Sequence, residues 1–304
     1  MPITFSPELQ EYLRHVSSIP TSEPRVAVFD CDGTIIKGDI GEAMFYYQIE
    51  HFLLRVNPAN IWLDHPKREE LDNLYTLLSS LPPERRTQDR RYVSFAEMLL
   101  EWYFDQLAEG KTEKACSDIV KLLGKFSEAE VQHIALATYN EELVSPLTVK
   151  KFGKITVPRG IRYISESVAL LKELQQLRFD IWAISGSNKW SVQPVFAPLG
   201  IPNDHIIGID LQTASNTLSP KVQTPIPVLE GKVEALQIYT SHPPLIVVSD
   251  SIYDVPLFNY ASGKKILINS RMETSYTFFK SAAIEQDESW IVVEKPSFDN
   301  PEHA

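Results

Sequence analysis

Short apolar runs alternate with amphipathic segments in the second half of the chain, which is typical of an α/β protein. Helical spacing of apolar residues predicts helices over 6–17, 164–177, 189–198, 232–240 and 252–259. Continuous apolar runs predict strands over 26–29, 179–184, 205–210, 245–249, 265–268 and 290–293. Strands that alternate with helices indicate a Rossmann-like α/β fold, with a mostly parallel sheet flanked by helices.

A different pattern fills the stretch between the first strand and this alternation. Helical periodicity continues without a predicted strand, in segments at 41–56, near 71–78, and at 92–109, 113–125 and 127–143. Ser127 and Glu130 have the spacing of a capping box at the start of the last of these segments. We therefore predict an all-helical cap domain over 39–156, inserted into a core domain formed by 1–38 and 157–304.

Composition and charge narrow the class of protein. The length of 304 residues is enough for one large domain or two of ordinary size. Hydrophobic residues make up 43% of the chain and charged residues 23%, which is ordinary globular composition. The net charge of −11 argues against nucleic acid or an anionic membrane surface as a partner. Two cysteines, no signal peptide and no apolar run of membrane-spanning length predict a cytoplasmic protein. Export without a signal and the oligomeric state are left open.

The stretch from Val26 to Thr34 carries the first candidate chemistry. Asp30 and Asp32 follow a buried strand, where a carboxylate is costly unless something uses it. At this spacing one carboxylate can attack an electrophile, while the other acts first as an acid and then as a base. Both also offer the oxygen ligands that Mg²⁺ prefers. The alternative is an ordinary strand exit in which an aspartate caps a turn before Gly33.

Three further polar positions coincide with predicted strand ends or helix starts. Ser185-Gly-Ser-Asn188 follows a strand, and such a turn can cradle a phosphate group or simply cap the next helix. Lys232 begins a helix, where a lysine is usually a solvated surface charge. Asp250 ends a second apolar strand, and Asp254 follows at a position that also suits a helix N-terminus.

Taken in order, these stretches resemble the four motifs of the haloacid dehalogenase (HAD) superfamily, in its phosphoserine-phosphatase-like branch. The matching segments are Asp30-Cys-Asp-Gly-Thr34, Ser185-Gly-Ser-Asn188, Gly231-Lys-Val-Glu-Ala235 and Ser249-Asp-Ser-Ile-Tyr-Asp254. Ser249 replaces the usual glycine of the fourth motif. The resemblance covers about 20–38 and 157–295, and the helical insertion stands at the C1 cap position of this family.

The resemblance implies a Mg²⁺-dependent phosphomonoester hydrolase that works through an aspartyl-phosphate. Asp30 would be the nucleophile and Asp32 the acid and base. The other implied roles are phosphate binding by Ser185, Gly186 and Lys232, metal binding by Asp30, the backbone of Asp32, and Asp250, and support by Gly33, Thr34, Asn188 and Asp254.

The expected partner is a small phosphate ester. Asp39 and Glu42, with Tyr46 nearby, follow the first motif where this branch places an acid that meets a substrate amine. We therefore hypothesise an amine-bearing ester such as phosphoserine or phosphocholine. Alternatively, these acids occupy the first turn of a helix and the aromatic residues belong to the cap core. A phosphoprotein (Tyr/Ser) phosphatase and a non-catalytic binding module of the same fold are the other functions left open.

Overall fold

The computed structural model describes residues 5–18, 24–57, 61–269 and 287–294. Its helices, in chain order, are α1 (Pro7–Ser18), α2 (Ile40–Glu50), α3 (Arg68–Ser79), α4 (Pro83–Arg86), α5 (Arg91–Ala108), α6 (Thr112–Lys121), α7 (Glu128–Val144), α8 (Ser165–Gln176), α9 (Lys189–Phe196), α10 (Glu230–Gln237) and α11 (Val255–Tyr260). Its strands, in chain order, are β1 (Val26–Phe29), β2 (Ile36–Lys37), β3 (Thr148–Phe152), β4 (Ile155–Arg159), β5 (Arg162–Tyr163), β6 (Asp180–Asn188), β7 (Ile206–Ile209), β8 (Leu211–Ala214), β9 (Thr217–Val222), β10 (Ile246–Ser249), β11 (Lys264–Asn269) and β12 (Trp290–Glu294).

Six parallel strands form the central sheet, in the order β12-β11-β10-β1-β6-β7. Every strand and helix predicted for the second half of the chain occurs, with ends shifted by a few residues. The α/β fold class is confirmed. β1 lies in the middle, where Val28 pairs with Val247 on one side and with Trp182 on the other.

Burial of β1 on both faces explains its unbroken apolar sequence. Ala27 and Phe29 pack into one apolar cluster with α1 and α8, while Val26 and Val28 pack into another with α10 and α11. From β1 the sheet continues to β6 on one side and to β10 on the other. The carboxyl ends of strands at such a point border a crevice, and this is where Asp30 follows β1.

Helices α2 to α7 make up most of the insertion, and all of them except the short α4 were predicted. The capping box at the start of α7 is complete, because the Ser127 hydroxyl accepts from the Glu130 amide and the Glu130 carboxylate accepts from the Ser127 amide. One apolar cluster joins these helices, with Phe45, Leu99 and Val131 among its buried members. The domain boundaries at 38 and 157 stay a prediction.

The expectation that the insertion is all-helical is wrong. β3 and β4 form an antiparallel hairpin within and just beyond it, and Gly153 turns between them with a φ of +57°. Most residues of both strands are exposed or half-buried, so they lack the apolar run or alternation that predicts a strand. The sequence features that still favoured strands here were β-branched residues on either side of Gly153-Lys154.

The two passages of the chain between sheet and insertion lie side by side. β2 and β5 are antiparallel, and they pair Ile36 with Tyr163 and Lys37 with Arg162. Neither strand was predicted from the sequence. Gly38 and Gly160 flank this short ladder with φ values of +103° and +86°. Such backbone conformations favour glycine, so the sequence permits sharp turns at the point where the insertion begins and ends.

A second hairpin, formed by β8 and β9, ties the sheet side of the molecule to the insertion. The Lys125 amide donates to the Leu218 carbonyl at 2.7 Å, and the Leu218 amide donates to the Phe126 carbonyl at 2.8 Å. The side chains of Leu211 and Leu218 are buried in the apolar cluster of the insertion helices. The insertion is therefore fixed to the rest of the chain by backbone bonds as well as by apolar contact.

Neither cysteine is in a disulfide: Cys31 is buried with the sheet residues, and Cys116 is half-buried in α6. Within the ranges that the structure describes, no helix has the length and apolar character that crossing a membrane requires.

The shared cluster makes a prediction about stability. Leu218→Ala should lower the free energy of unfolding by about 2–5 kcal/mol, because it empties space among buried side chains. The matched variant Leu136→Ala removes a leucine that is 50% exposed, and should change the same free energy by less than about 0.5 kcal/mol. Urea unfolding of both variants measures this. Equal effects would mean that the hairpin contributes little to the cluster.

Candidate active site

One cavity of about 360 Å³ collects the residues singled out from the sequence. Its lining includes the predicted site residues Asp30, Asp32, Gly33, Asp39, Glu42, Ser185, Gly186, Asn188, Lys232, Asp250 and Asp254. Thr34 and Tyr46 lie behind this lining and contact residues within it. The carboxyl ends of β1, β6 and β10 supply one side of the cavity, and α2, α5 and α6 supply the other.

A buried lysine joins two carboxylates on the sheet side. Lys232 Nζ lies 2.8 Å from Asp30 Oδ1 and 2.6 Å from Asp254 Oδ1. The Ser249 hydroxyl donates to the other oxygen of Asp254 at 2.6 Å. Burial alone would lower the pKa of Lys232, but Asp254 and Asp30 outweigh it and raise this pKa. Lys232 is therefore a fixed cation beside Asp30, and not a solvated surface residue.

Asp250 joins this group through Thr34. Thr34 Oγ1 lies 3.2 Å from Asp30 Oδ2 and 3.3 Å from Asp250 Oδ1, and it accepts from the Asp250 amide at 3.0 Å. Gly33 has a φ of +76°, and a Cβ at this position would overlap the Asp250 carboxylate. Glycine at position 33 therefore serves both the turn and the close approach of the two strand ends.

The second aspartate of the first motif is held by three donors. Asp32 Oδ1 accepts from the Ile40 amide at 2.7 Å, and Oδ2 accepts from Ser185 Oγ at 3.1 Å and Ser187 Oγ at 2.7 Å. Burial raises the pKa of Asp32, although these three hydrogen bonds and the charge of Lys232 oppose the rise. The carboxylate thus has a fixed orientation in the cavity wall.

The stretch 185–188 differs from its prediction. The sequence predicted a strand ending at Ile184 and then a turn, but β6 continues to Asn188, which pairs with Ile209 after an irregularity. Ser-Gly-Ser is a common turn sequence, which explains the error. Asn188 caps α9 by accepting from the Ser191 amide at 2.9 Å, so its predicted alternative as a helix cap is confirmed.

The electrostatic balance of the sheet side is negative. Asp30, Asp32, Asp250 and Asp254 line the cavity with Lys232 as its only lysine or arginine among the described lining residues. Burial is the largest cause that raises the pKa of Asp30, to about 8; Lys232 lowers it, and the other three carboxylates raise it. A further cation bound here would relieve this excess of negative charge.

The arrangement of the carboxylates determines whether a metal ion fits in the cavity. Across the described residues, no group of three or more His, Cys, Asp or Glu side chains is arranged to hold a metal ion. However, Mg²⁺ is commonly held by one or two carboxylates together with water. Asp30 and Asp250, which both approach Thr34 Oγ1, supply such a pair of oxygen donors.

Acidic side chains also line the insertion side. Asp39 is the N-cap of α2 and accepts from the Glu42 amide at 2.7 Å. Glu42 accepts from the hydroxyl groups of Tyr46 at 2.8 Å and Tyr103 at 2.9 Å. The helix-start position and the buried aromatic residues expected as the alternative are therefore confirmed, and the same two acids face the cavity.

Several lining residues had been given no role from the sequence, although Ser187 and 251–253 lie within the matching segments. Ser187 had one signal, since its position two residues after Ser185 places both on one face of a strand. Tyr103 had no such signal in the sequence, because it is 61 positions from Glu42 and contacts it from another helix, α5. The other unpredicted lining residues are Gly38, Gly41, Thr112, Cys116, Ile119, Val120, Val228, Leu229, Ser251, Ile252 and Tyr253.

Among solved structures, two proteins of unknown function share the fold. One, from Anaerococcus prevotii DSM 20548, has a TM-score of 0.72 and 18% identity, over 93% of this chain and 91% of its own. The other, from Bordetella pertussis Tohama I, has a TM-score of 0.54 and 16% identity, over 89% of this chain and 99% of its own. A substrate-bound phosphoserine phosphatase has a TM-score of 0.45 and 14% identity, over 82% of this chain and 87% of its own.

No protein of curated function matches the sequence significantly. The sequence profile of the haloacid dehalogenase-like hydrolases matches residues 24–261, which is more than half of the chain and includes every motif of the cavity. The chain therefore belongs to the haloacid dehalogenase-like hydrolases.

Proposed function

We propose that this hydrolase cleaves small phosphate monoesters through an aspartyl-phosphate on Asp30, as in the phosphoserine-phosphatase-like branch of its family. The observation that carries the proposal is the contact of the Asp30 carboxylate with buried Lys232, in a cavity that Asp32 also lines. A cation beside the nucleophile offsets the repulsion between a carboxylate and a phosphate dianion.

Each step of the reaction has a residue in reach. Asp30 attacks phosphorus, and the bond from phosphorus to the leaving oxygen breaks while the Asp32 carboxyl group gives that oxygen its proton. Water then attacks the aspartyl-phosphate, Asp32 accepts a proton from this water, and inorganic phosphate leaves with Asp30 regenerated. Ser185 and Lys232 hold the phosphoryl oxygens, because both line the same cavity as Asp30.

The donor set fits Mg²⁺. Asp30, Asp250 and the backbone carbonyl of Asp32 would hold the ion, since they offer the oxygen ligands that it prefers. When bound, Mg²⁺ supplies charge neutralisation and orientation for the phosphoryl group.

The insertion side of the cavity favours a small, cationic leaving group. Asp39 and Glu42 face the cavity, and among the described lining residues the one lysine or arginine is Lys232, already paired with two carboxylates. A leaving group with an ammonium ion and no carboxylate, as in phosphocholine, matches this wall better than phosphoserine does. Backbone bonds between the insertion and the β8–β9 hairpin disfavour the wide opening that a phosphoprotein needs. A non-catalytic module is disfavoured because no catalytic position is replaced.

The nucleophile can be tested by a single substitution. Asp30→Asn should lower phosphate release from p-nitrophenyl phosphate and from a panel of metabolites by at least about a thousandfold, because an amide does not form the aspartyl-phosphate. Asp204→Asn, at a side chain that is 82% exposed, is the matched control and should keep full activity. Activity that survives in Asp30→Asn would refute the assignment of the nucleophile.

Metal dependence gives a second prediction. EDTA should abolish turnover and Mg²⁺ should restore it. Asp250→Asn should raise the Mg²⁺ concentration for half-maximal activity by about tenfold or more, because one ligand loses its charge. Calorimetric titration with Mg²⁺ should show the same weakening in the variant, and Asp204→Asn should bind as the wild type does. Full turnover in EDTA would exclude the metal.

The acidic wall gives a third prediction. Glu42→Gln should lower kcat/KM for phosphocholine by about tenfold or more and leave glycerol 2-phosphate within about twofold, because only the former carries a cation to pair with Glu42. Glu109→Gln, at a side chain that is 58% exposed, is the matched control. Equal losses on both esters, or a wild-type preference for neutral sugar phosphates, would contradict an amine-bearing substrate.

A further inference from the structure

Two serine hydroxyl groups donate to Asp32, and that of Ser187 is the closer one. Its Oγ donates to Asp32 Oδ2 at 2.7 Å, whereas Ser185 Oγ reaches the same oxygen at 3.1 Å. The Ile40 amide fixes the other carboxylate oxygen at 2.7 Å. With both oxygens bonded, the plane of the Asp32 carboxylate is set by its neighbours.

The surroundings leave Ser187 a defined place. The residue is 8% exposed, and its backbone amide donates to Ser185 Oγ at 2.9 Å. Gly41, in the first turn of α2, faces it so closely that a Cβ there would overlap the Ser187 hydroxyl. Because Gly41 of α2 has no side chain, the Ser187 hydroxyl from β6 occupies this space.

Ser185 cannot hold Asp32 throughout the reaction. A serine hydroxyl has one proton to donate, and the proposed function assigns that proton to a phosphoryl oxygen when substrate is bound. The bond from Ser185 to Asp32 is then lost. Ser187 remains as the hydroxyl donor to Asp32 Oδ2, and the Ile40 amide remains on Oδ1.

We propose that Ser187 is a positioning residue that keeps the Asp32 carboxyl group aimed at the leaving oxygen of the phosphate ester. This inference rests on the proposed function, in which Asp32 gives its proton to that oxygen. Gly41 belongs to the same arrangement, because it leaves room for the hydroxyl.

The leaving group distinguishes positioning of an acid from a general structural role. An alkoxide is a poor leaving group and needs the proton of Asp32, whereas p-nitrophenolate departs readily without it. The ratio kcat/KM reports formation of the aspartyl-phosphate, in which the proton is transferred. A misplaced Asp32 therefore slows hydrolysis of an alkyl phosphate and spares p-nitrophenyl phosphate.

The experiment compares two substrates with Ser187→Ala in the full chain. We expect kcat/KM for glycerol 2-phosphate to fall by about tenfold or more, and kcat/KM for p-nitrophenyl phosphate to change by less than about twofold. Gly41→Ala approaches the same contact from the other side and should give the same dependence on the leaving group. Circular dichroism establishes whether each variant is folded. If Ser187→Ala does not fold, the two substrates are compared with Gly41→Ala alone.

Ser191→Ala is the matched control, because this buried hydroxyl donates to the Asn188 carbonyl at 2.9 Å and does not reach Asp32. It should change both substrates equally or not at all. Equal loss on both esters in Ser187→Ala and Gly41→Ala, or no loss on either, would overturn the positioning role while the phosphatase stands. A wild-type protein that hydrolyses neither ester would overturn the proposed function and this inference together.

Discussion

The ammonium group of Lys232, buried between the carboxylates of Asp30 and Asp254, is the interaction on which the site depends. Removing charged groups from water is costly, and only close pairing repays it. Lys232 and Asp30 are 202 positions apart in the chain and come from the start of α10 and the end of β1. The pair therefore forms only when the sheet and its flanking helices have assembled, and it couples the completed fold to the charge balance of the cavity.

The cavity has two sides that meet at Asp32. The strand ends line one side of it, and α2, α5 and α6 line the other. In the proposed function the first side binds the phosphoryl group and the second meets the rest of the ester. Asp32 belongs to the strand side by sequence, yet one of its oxygens accepts from Ile40, the first residue of the first insertion helix. The residue proposed to move the proton is thus bonded to both sides.

The sequence predicted the sheet and most helices of the insertion, because each of these follows a local rule. Apolar runs predicted the strands, and Ser127 and Glu130 predicted the start of α7. The group of side chains around Asp30 was predicted in another way: a lysine at position 232 is usually a solvated residue, and only the resemblance of four motifs to a known family implied a role for it beside Asp30. The two hairpins were missed because their strands bury little surface. The Glu42–Tyr103 bond was unpredictable from local pattern, since it depends on how two helices pack.

The β8–β9 hairpin has a consequence for the order in which the chain can fold during synthesis. The insertion helices leave the ribosome before Leu211, Leu218 and Val228, yet these three residues are buried in the apolar cluster of those helices. Until they emerge, part of that cluster has no cover, and the nascent insertion exposes apolar surface that invites wrong contacts. The insertion helices therefore complete their apolar cluster only after residues 211–228 have been synthesised. By then β1, β6 and β7 of the sheet have also left the ribosome, so the insertion and the sheet complete their folding together.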